Sequence, residues 1–121
     1  MSSERLVAAF EDVIRAVDLI DAWIDEAGGA AIALRPDTQS RSAIERQLLI
    51  ISEAAIRVHK IDPGELARLA PNVDWPGVRG VGNFIRHKYD DLDSAIIAGI
   101  VGDRLGVLRS ACSRAIEILK K

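Results

Sequence analysis

The chain has 121 residues, 49% of them hydrophobic and 28% charged, which fits one globular domain with a sizeable core and excludes a disordered or fibrous polypeptide. Sixteen Lys and Arg against eighteen Asp and Glu leave a net charge of −2, so nucleic-acid binding through overall charge is excluded and any such contact must be local. A single cysteine, Cys112, excludes an intramolecular disulfide, and no uncharged run approaches the roughly 18 residues that a membrane span needs.

The opening "MSSERLVAAFEDV" is acidic within its first turns and lacks the basic-then-apolar layout of a secretion signal, which reads as a cytoplasmic protein. Aromatic residues make up only 4% and the apolar set is mostly Ala, Leu, Ile and Val, a mixture that favours helix over sheet. From Leu6, the apolar residues Phe10, Val13, Val17, Ile20 and Ile24 alternate spacings of four and three, predicting a first helix over about 3–27. Gly28 and Gly29 end it, and "GGAAIALRPDTQS" reads as a connecting loop.

A second helix is predicted to start after Asp37 or Ser40, either able to cap it, with a stripe of Ile44, Leu48, Ile51, Ala55 and Val58. Leu49, Ile50 and Ile56 widen that stripe, which marks the helix as central. Asp62 and Pro63 introduce a short helix, "PGELARLA", that Pro71 ends. Asp74 caps a third long helix from about Trp75 to about Tyr89, and a last helical region covers 94–119. Ile97, Val101, Leu105, Leu108, Cys112 and Ile116 share one face of that region, Cys112 as a small buried hydrophobe, and Gly99, Gly102 and Gly106 are placed to break or kink it. No strand pattern competes, so the expected fold is an all-α, up-down bundle of four to five helices in a single domain over residues 1–121. The regular seams on its first and last helices leave room for a dimer.

The segment "RGVGNFIRHKYDDLD", Arg79 to Asp93, is not an ordinary solvated face. On a helix, Arg79, Asn83 and His87 stand four residues apart in one stripe, flanked by Gly82, Arg86 and Asp90. Gly80 and Gly82 each cost roughly 1 kcal/mol of helix stability relative to Ala, which points to close approach by a neighbouring helix or a ligand. Histidine suits proton transfer near neutral pH, and arginine offers a fork of donors for a phosphate. Together they suit RNA cleavage in which the ribose 2′-hydroxyl attacks phosphorus, a base takes its proton and a cation steadies the extra charge, without a metal or cofactor. A plainer reading stays open: a solvated face, with His87 near the favourable C-terminal helix dipole. Tyr89 alone reads as an interface or core residue, and His59 as solvent-facing at the end of the second helix. Two histidines without a cysteine cluster do not make a zinc site.

These residues resemble the HepT-like branch of the HEPN superfamily, small all-α domains that include toxin ribonucleases. The resemblance covers nearly the whole chain. "AIERQLLIISEAAIRV" is similar to that family's central helix, with Glu45 and the run Ser52, Glu53, Ala54 in the expected place, and "NVDWPGVRGVGN" matches the approach to its polar helix. The family motif has an Arg followed four to six residues later by a His, commonly with a Tyr two residues beyond. His87 and Tyr89 match it, Asn83 matches the polar residue after the motif Arg, and Gly82 stands where that Arg belongs. Arg79 lies about one turn earlier and Arg86 one turn later, both without the family spacing.

The resemblance implies a metal-independent endoribonuclease toxin that works as a homodimer with a composite cleft. It implies a nucleotidyltransferase antitoxin as partner, adenylylating the tyrosine at the position of Tyr89. His87 would then be the acid or base, with Asn83 beside it and Arg79 or Arg86 steadying the phosphate. A non-catalytic module that binds a nucleotidyltransferase or a nucleotide is the alternative, motivated by Gly82, and a structural helical domain without a ligand is a third.

Overall fold

A computed structural model of the chain describes residues 2–87 and 94–121, and for residues 2, 87, 94, 95 and 103 the backbone alone. Among the described residues there is no strand. The helices are α1 (Ser2–Ala27), α2 (Ala30–Ala33), α3 (Gln39–Ile61), α4 (Glu65–Leu69), α5 (Trp75–His87), α6 (Ser94–Asp103) and α7 (Leu105–Lys120). The fold is all-α, as the sequence predicts. The helix number exceeds four to five because one turn of helix forms inside the first loop and the last helical region divides at Arg104, between Gly102 and Gly106. None of the described helices is long and apolar enough to cross a membrane.

The predicted stripes are the core. Leu6, Phe10, Val13, Val17 and Ile20 of α1 are buried against Ile44, Leu48, Ile51, Ala55 and Val58 of α3, while Leu105, Leu108 and Cys112 of α7 close the other side. α3 is central in the sense expected, packing against α1 along one side and α5 along the other. Burial pushes the Cys112 thiol up to about 12, so it serves as a small core hydrophobe.

The helix ends show where local chemistry decides. Gly28 and Gly29 close α1 with φ of 95° and 132°, backbone that a side chain would strain. The cap of α3 is Thr38, whose hydroxyl accepts from the backbone N–H of Arg41 at 3.2 Å, and neither Asp37 nor Ser40. Asp37 sits at φ 62°, in the turn before the helix, and Ser40 donates instead to the Ala33 carbonyl at 2.6 Å. With Arg41 donating to the Leu34 carbonyl at 3.3 Å, this ties α2 down onto the start of α3. Asp62 accepts from the Gly64 N–H in the turn ahead of α4, which begins two residues after Pro63. Side chains also clamp helices together from outside: Arg109 of α7 grips Asp18 of α1 through two hydrogen bonds at 2.6 and 3.1 Å, and Arg57 of α3 reaches Asp12 at 2.5 Å.

Candidate functional site

α5 carries four of the five residues singled out above, and its position is fixed at both ends of its first turns. Asp74 caps it, accepting from the Gly77 N–H at 3.2 Å, and a Cβ at Gly77 would collide with that carboxylate. Trp75 is buried, donates from Nε1 to the Ala70 carbonyl at 2.9 Å and packs its ring 6.4 Å from that of Phe10. Val78 and Ile85 then face the core and α5 runs alongside α3.

Ser52 meets Gly82 in a close contact of the seam between α3 and α5. Ser52 is fully buried and its Oγ donates to the backbone carbonyl of Arg79 at 2.7 Å. A Cβ on Gly82 would lie 2.8 Å from that same Oγ and 3.1 Å from the Ser52 Cβ, so the helices approach this closely only because residue 82 has none. The glycine pair of the sequence therefore separates. Gly82 is buried in a contact, whereas Gly80 is exposed with nothing within 4 Å of its missing Cβ.

At 100° per residue, Arg79 and Arg86 are seven positions apart and nearly eclipsed, with Gly82 between them on the flank of α5 that faces α3 and Asn83 turned further out. Arg79 is half-buried, and Asn83 and Arg86 are exposed. The guanidinium of Arg86 lies 3.5 Å from the point where a Gly82 Cβ would be, and pairs at 3.5 Å with the carboxylate of Glu53 on α3. His87 is the last residue of α5, one turn beyond Asn83; its side chain and the whole of Tyr89 lie outside the described residues.

Two hollows beside α5 are lined by neither Arg79, Asn83 nor Arg86. One, of about 300 Å³, is lined by Leu48, Ile51, Val78, Val81, Leu105 and Leu108. The other, about 610 Å³ and shallow, runs past Gly80, Phe84, Ile96, Gly99, Ile100 and Arg104. Among the described residues, Arg79, Asn83 and Arg86 share one flank of α5 and line neither of these hollows. His59 differs from the sequence reading: it is half-buried, and its Nδ1 has no hydrogen-bond partner among the described residues. No group of three or more His, Cys, Asp or Glu suited to a metal occurs among the described residues.

Two residues of this seam escaped the sequence reading as functional neighbours, Ser52 and Glu53. The available signal was a small hydroxyl in the buried stripe of α3, next to a carboxylate. Nothing in the spacing of α3 says which residue of another helix it meets.

The family described as Ribonuclease HepT-like matches residues 13–115, well over half of the chain and the whole of this seam. The chain belongs to the HepT-like ribonuclease family. No curated protein and no solved structure matches it.

Proposed function

We propose that this protein is a metal-independent endoribonuclease of toxin type, acting in the cytoplasm as a homodimer. The observation that carries the reading is the single flank of α5 that holds Arg79, Asn83 and Arg86 and ends at His87, in a chain whose family is one of ribonucleases. An open flank is half a site. Two α5 flanks facing each other would make the cleft that one chain lacks.

In that cleft the ribose 2′-hydroxyl attacks the adjacent phosphorus, its proton passing to a base, and the bond to the 5′-oxygen breaks as that oxygen takes a proton. The products are a 2′,3′-cyclic phosphate and a free 5′-hydroxyl, with no other reactant. His87 is assigned the proton transfer, an arginine of this flank the charge on phosphorus, and Asn83 a hydrogen bond to the substrate. The partner proposed is a nucleotidyltransferase antitoxin. Adenylylation of Tyr89, two residues from His87, would add a bulky anion that repels RNA phosphates.

One observation favours a second reading, a non-catalytic module that binds a nucleotidyltransferase or a nucleotide. Gly82 occupies the place of the motif arginine, and any side chain there would have to displace Ser52. The deciding experiment is cleavage of a structured RNA in EDTA by wild type and His87→Ala, prepared identically and with Tyr89 confirmed unmodified. Cleavage by wild type and not by the variant is expected. If the folded wild type does not cut, the module reading replaces the nuclease.

A further inference from the structure

We infer that the guanidinium of Arg86, folded back over Gly82, is the group that holds an RNA phosphate, that Ser52 and Gly82 form its seat, and that Glu53 is its positioning residue. The identity of the ligand rests on the ribonuclease reading; the geometry of the seat does not.

Two arginines compete for the role, and helix geometry separates them. Every Cα–Cβ bond of an α-helix tilts toward the N-terminus, so a long side chain covers the turn that precedes its own Cα. Arg86, four residues after Gly82, therefore runs back across it, and its Nη2 comes within 3.5 Å of where the Gly82 Cβ would be. Arg79, three residues before Gly82, leans the opposite way. An arginine rooted one turn later thus delivers its charge to the level of residue 82, where the family motif roots its own.

The seat depends on both sides of the seam. The contact with Ser52 is what keeps residue 82 without a Cβ, and the Arg86 guanidinium lies over that bare position at ordinary contact distance. Glu53, next to Ser52 on α3, presents its carboxylate at 3.5 Å to the same Nη2 that lies over Gly82. Both side chains are 47% exposed, so a phosphate in solution can reach the pair. An exposed ion pair is weak, whereas the planar fork of arginine suits two phosphate oxygens at once. Glu53 keeps the guanidinium folded back until phosphate shares it.

The test is binding of a fully 2′-O-methylated RNA oligomer, which lacks the attacking hydroxyl and so binds without being cut, followed by fluorescence anisotropy over a range of salt. Arg86→Ala is expected to weaken binding about tenfold and to lower the slope of log affinity against log salt by about one. Arg79→Ala should weaken binding less than Arg86→Ala does, since its side chain leads away from the seat. Glu53→Ala should lose about threefold and Glu53→Gln, which keeps an acceptor at the same reach, should recover it. Thermal melting accompanies each variant, and a folded Arg86→Ala protein that binds like wild type overturns the proposal. So does a salt slope that falls in Arg79→Ala and not in Arg86→Ala, or a wild type that does not bind. Cleavage of unmodified RNA, measured in parallel, tells the two levels apart: Arg86-dependent binding without cleavage removes the nuclease and leaves the seat.

Discussion

The hydroxyl of Ser52 donates a 2.7 Å hydrogen bond to the backbone carbonyl of Arg79, joining two helices at residues 27 positions apart in the chain. Ser52 is fully buried and Arg79 half-buried, so the bond is partly shielded from water. Ser52→Ala is expected to lower unfolding stability by about 1 kcal/mol, the usual net worth of one such bond. Ser52→Val should cost more, about 1–3 kcal/mol, because its extra methyl has to enter the contact with Gly82. Urea denaturation of the three proteins measures both.

Gly80 and Gly82 lie two residues apart on one helix and should respond to alanine with opposite signs. Gly80→Ala enters open space and should stabilise by about 0.5–1 kcal/mol through helix propensity alone. Gly82→Ala places a Cβ 2.8 Å from Ser52 Oγ. It should destabilise by about 1–3 kcal/mol despite the same gain in propensity. The penalty should shrink when Ser52→Gly is added, giving a coupling of about 1 kcal/mol or more in the double-mutant cycle. Additivity in that cycle would show that the two residues do not touch.

Much of this architecture was legible in the sequence, because a stripe that alternates spacings of three and four has one way to be buried. Leu6 to Ile20 and Ile44 to Val58 are core residues for that reason. The α3 cap is Thr38, between the two expected candidates Asp37 and Ser40. Asp37, Thr38 and Ser40 all have capping side chains, and only the turn, with Asp37 at φ 62°, selects Thr38. On α5, the grouping of Arg79, Asn83 and Arg86 followed from helical rotation. Their partners did not, since Ser52 and Glu53 meet α5 through a tertiary register that no local spacing encodes. The close approach expected at the glycine pair is there, but that it falls on Gly82 and not on Gly80 was hidden for the same reason.

The clamp between α1 and α7 carries a pH signature. Hydrogen bonds from Arg109 hold the Asp18 carboxyl below its usual value, while partial burial opposes them and the nearby charge of Arg109 adds to them. A carboxyl whose folded pKa is depressed contributes stability that is fully present above its unfolded pKa and is lost as pH falls through the folded one. Asp18→Asn should therefore be less stable than wild type at neutral pH, by no more than about 1 kcal/mol for so exposed a pair. The difference should close once the solution is acid enough to protonate Asp18 in both states. Denaturation midpoints at neutral and strongly acidic pH test this, and a gap that persists in acid would assign the effect to packing.

Cys112 should be chemically silent in the folded protein. Its side chain is fully buried in α7 and burial lifts the thiol to about 12, so little thiolate exists near neutral pH and none is reachable. Alkylation by iodoacetamide should proceed only through unfolding, accelerating with urea in step with the loss of helical circular dichroism. Cys112→Ser should cost about 1–3 kcal/mol, because a hydroxyl buried there replaces a soft apolar sulfur.

The proposed homodimer makes a prediction that needs no RNA. The proposal has the α5 flank of one copy, with Arg79, Asn83 and Arg86, completed into a cleft by a second copy. Light scattering at micromolar concentration should then return twice the 13.1 kDa of the chain. If the α5 flanks face each other across that dimer, Arg79 and Arg86 of the two copies gather like charges that repel more strongly at low salt. The dimer should accordingly tighten as salt is raised toward physiological strength, the reverse of the RNA affinity, whose release of counterions weakens with salt. A monomer mass, or a dimer indifferent to salt, would place the cleft elsewhere or remove it.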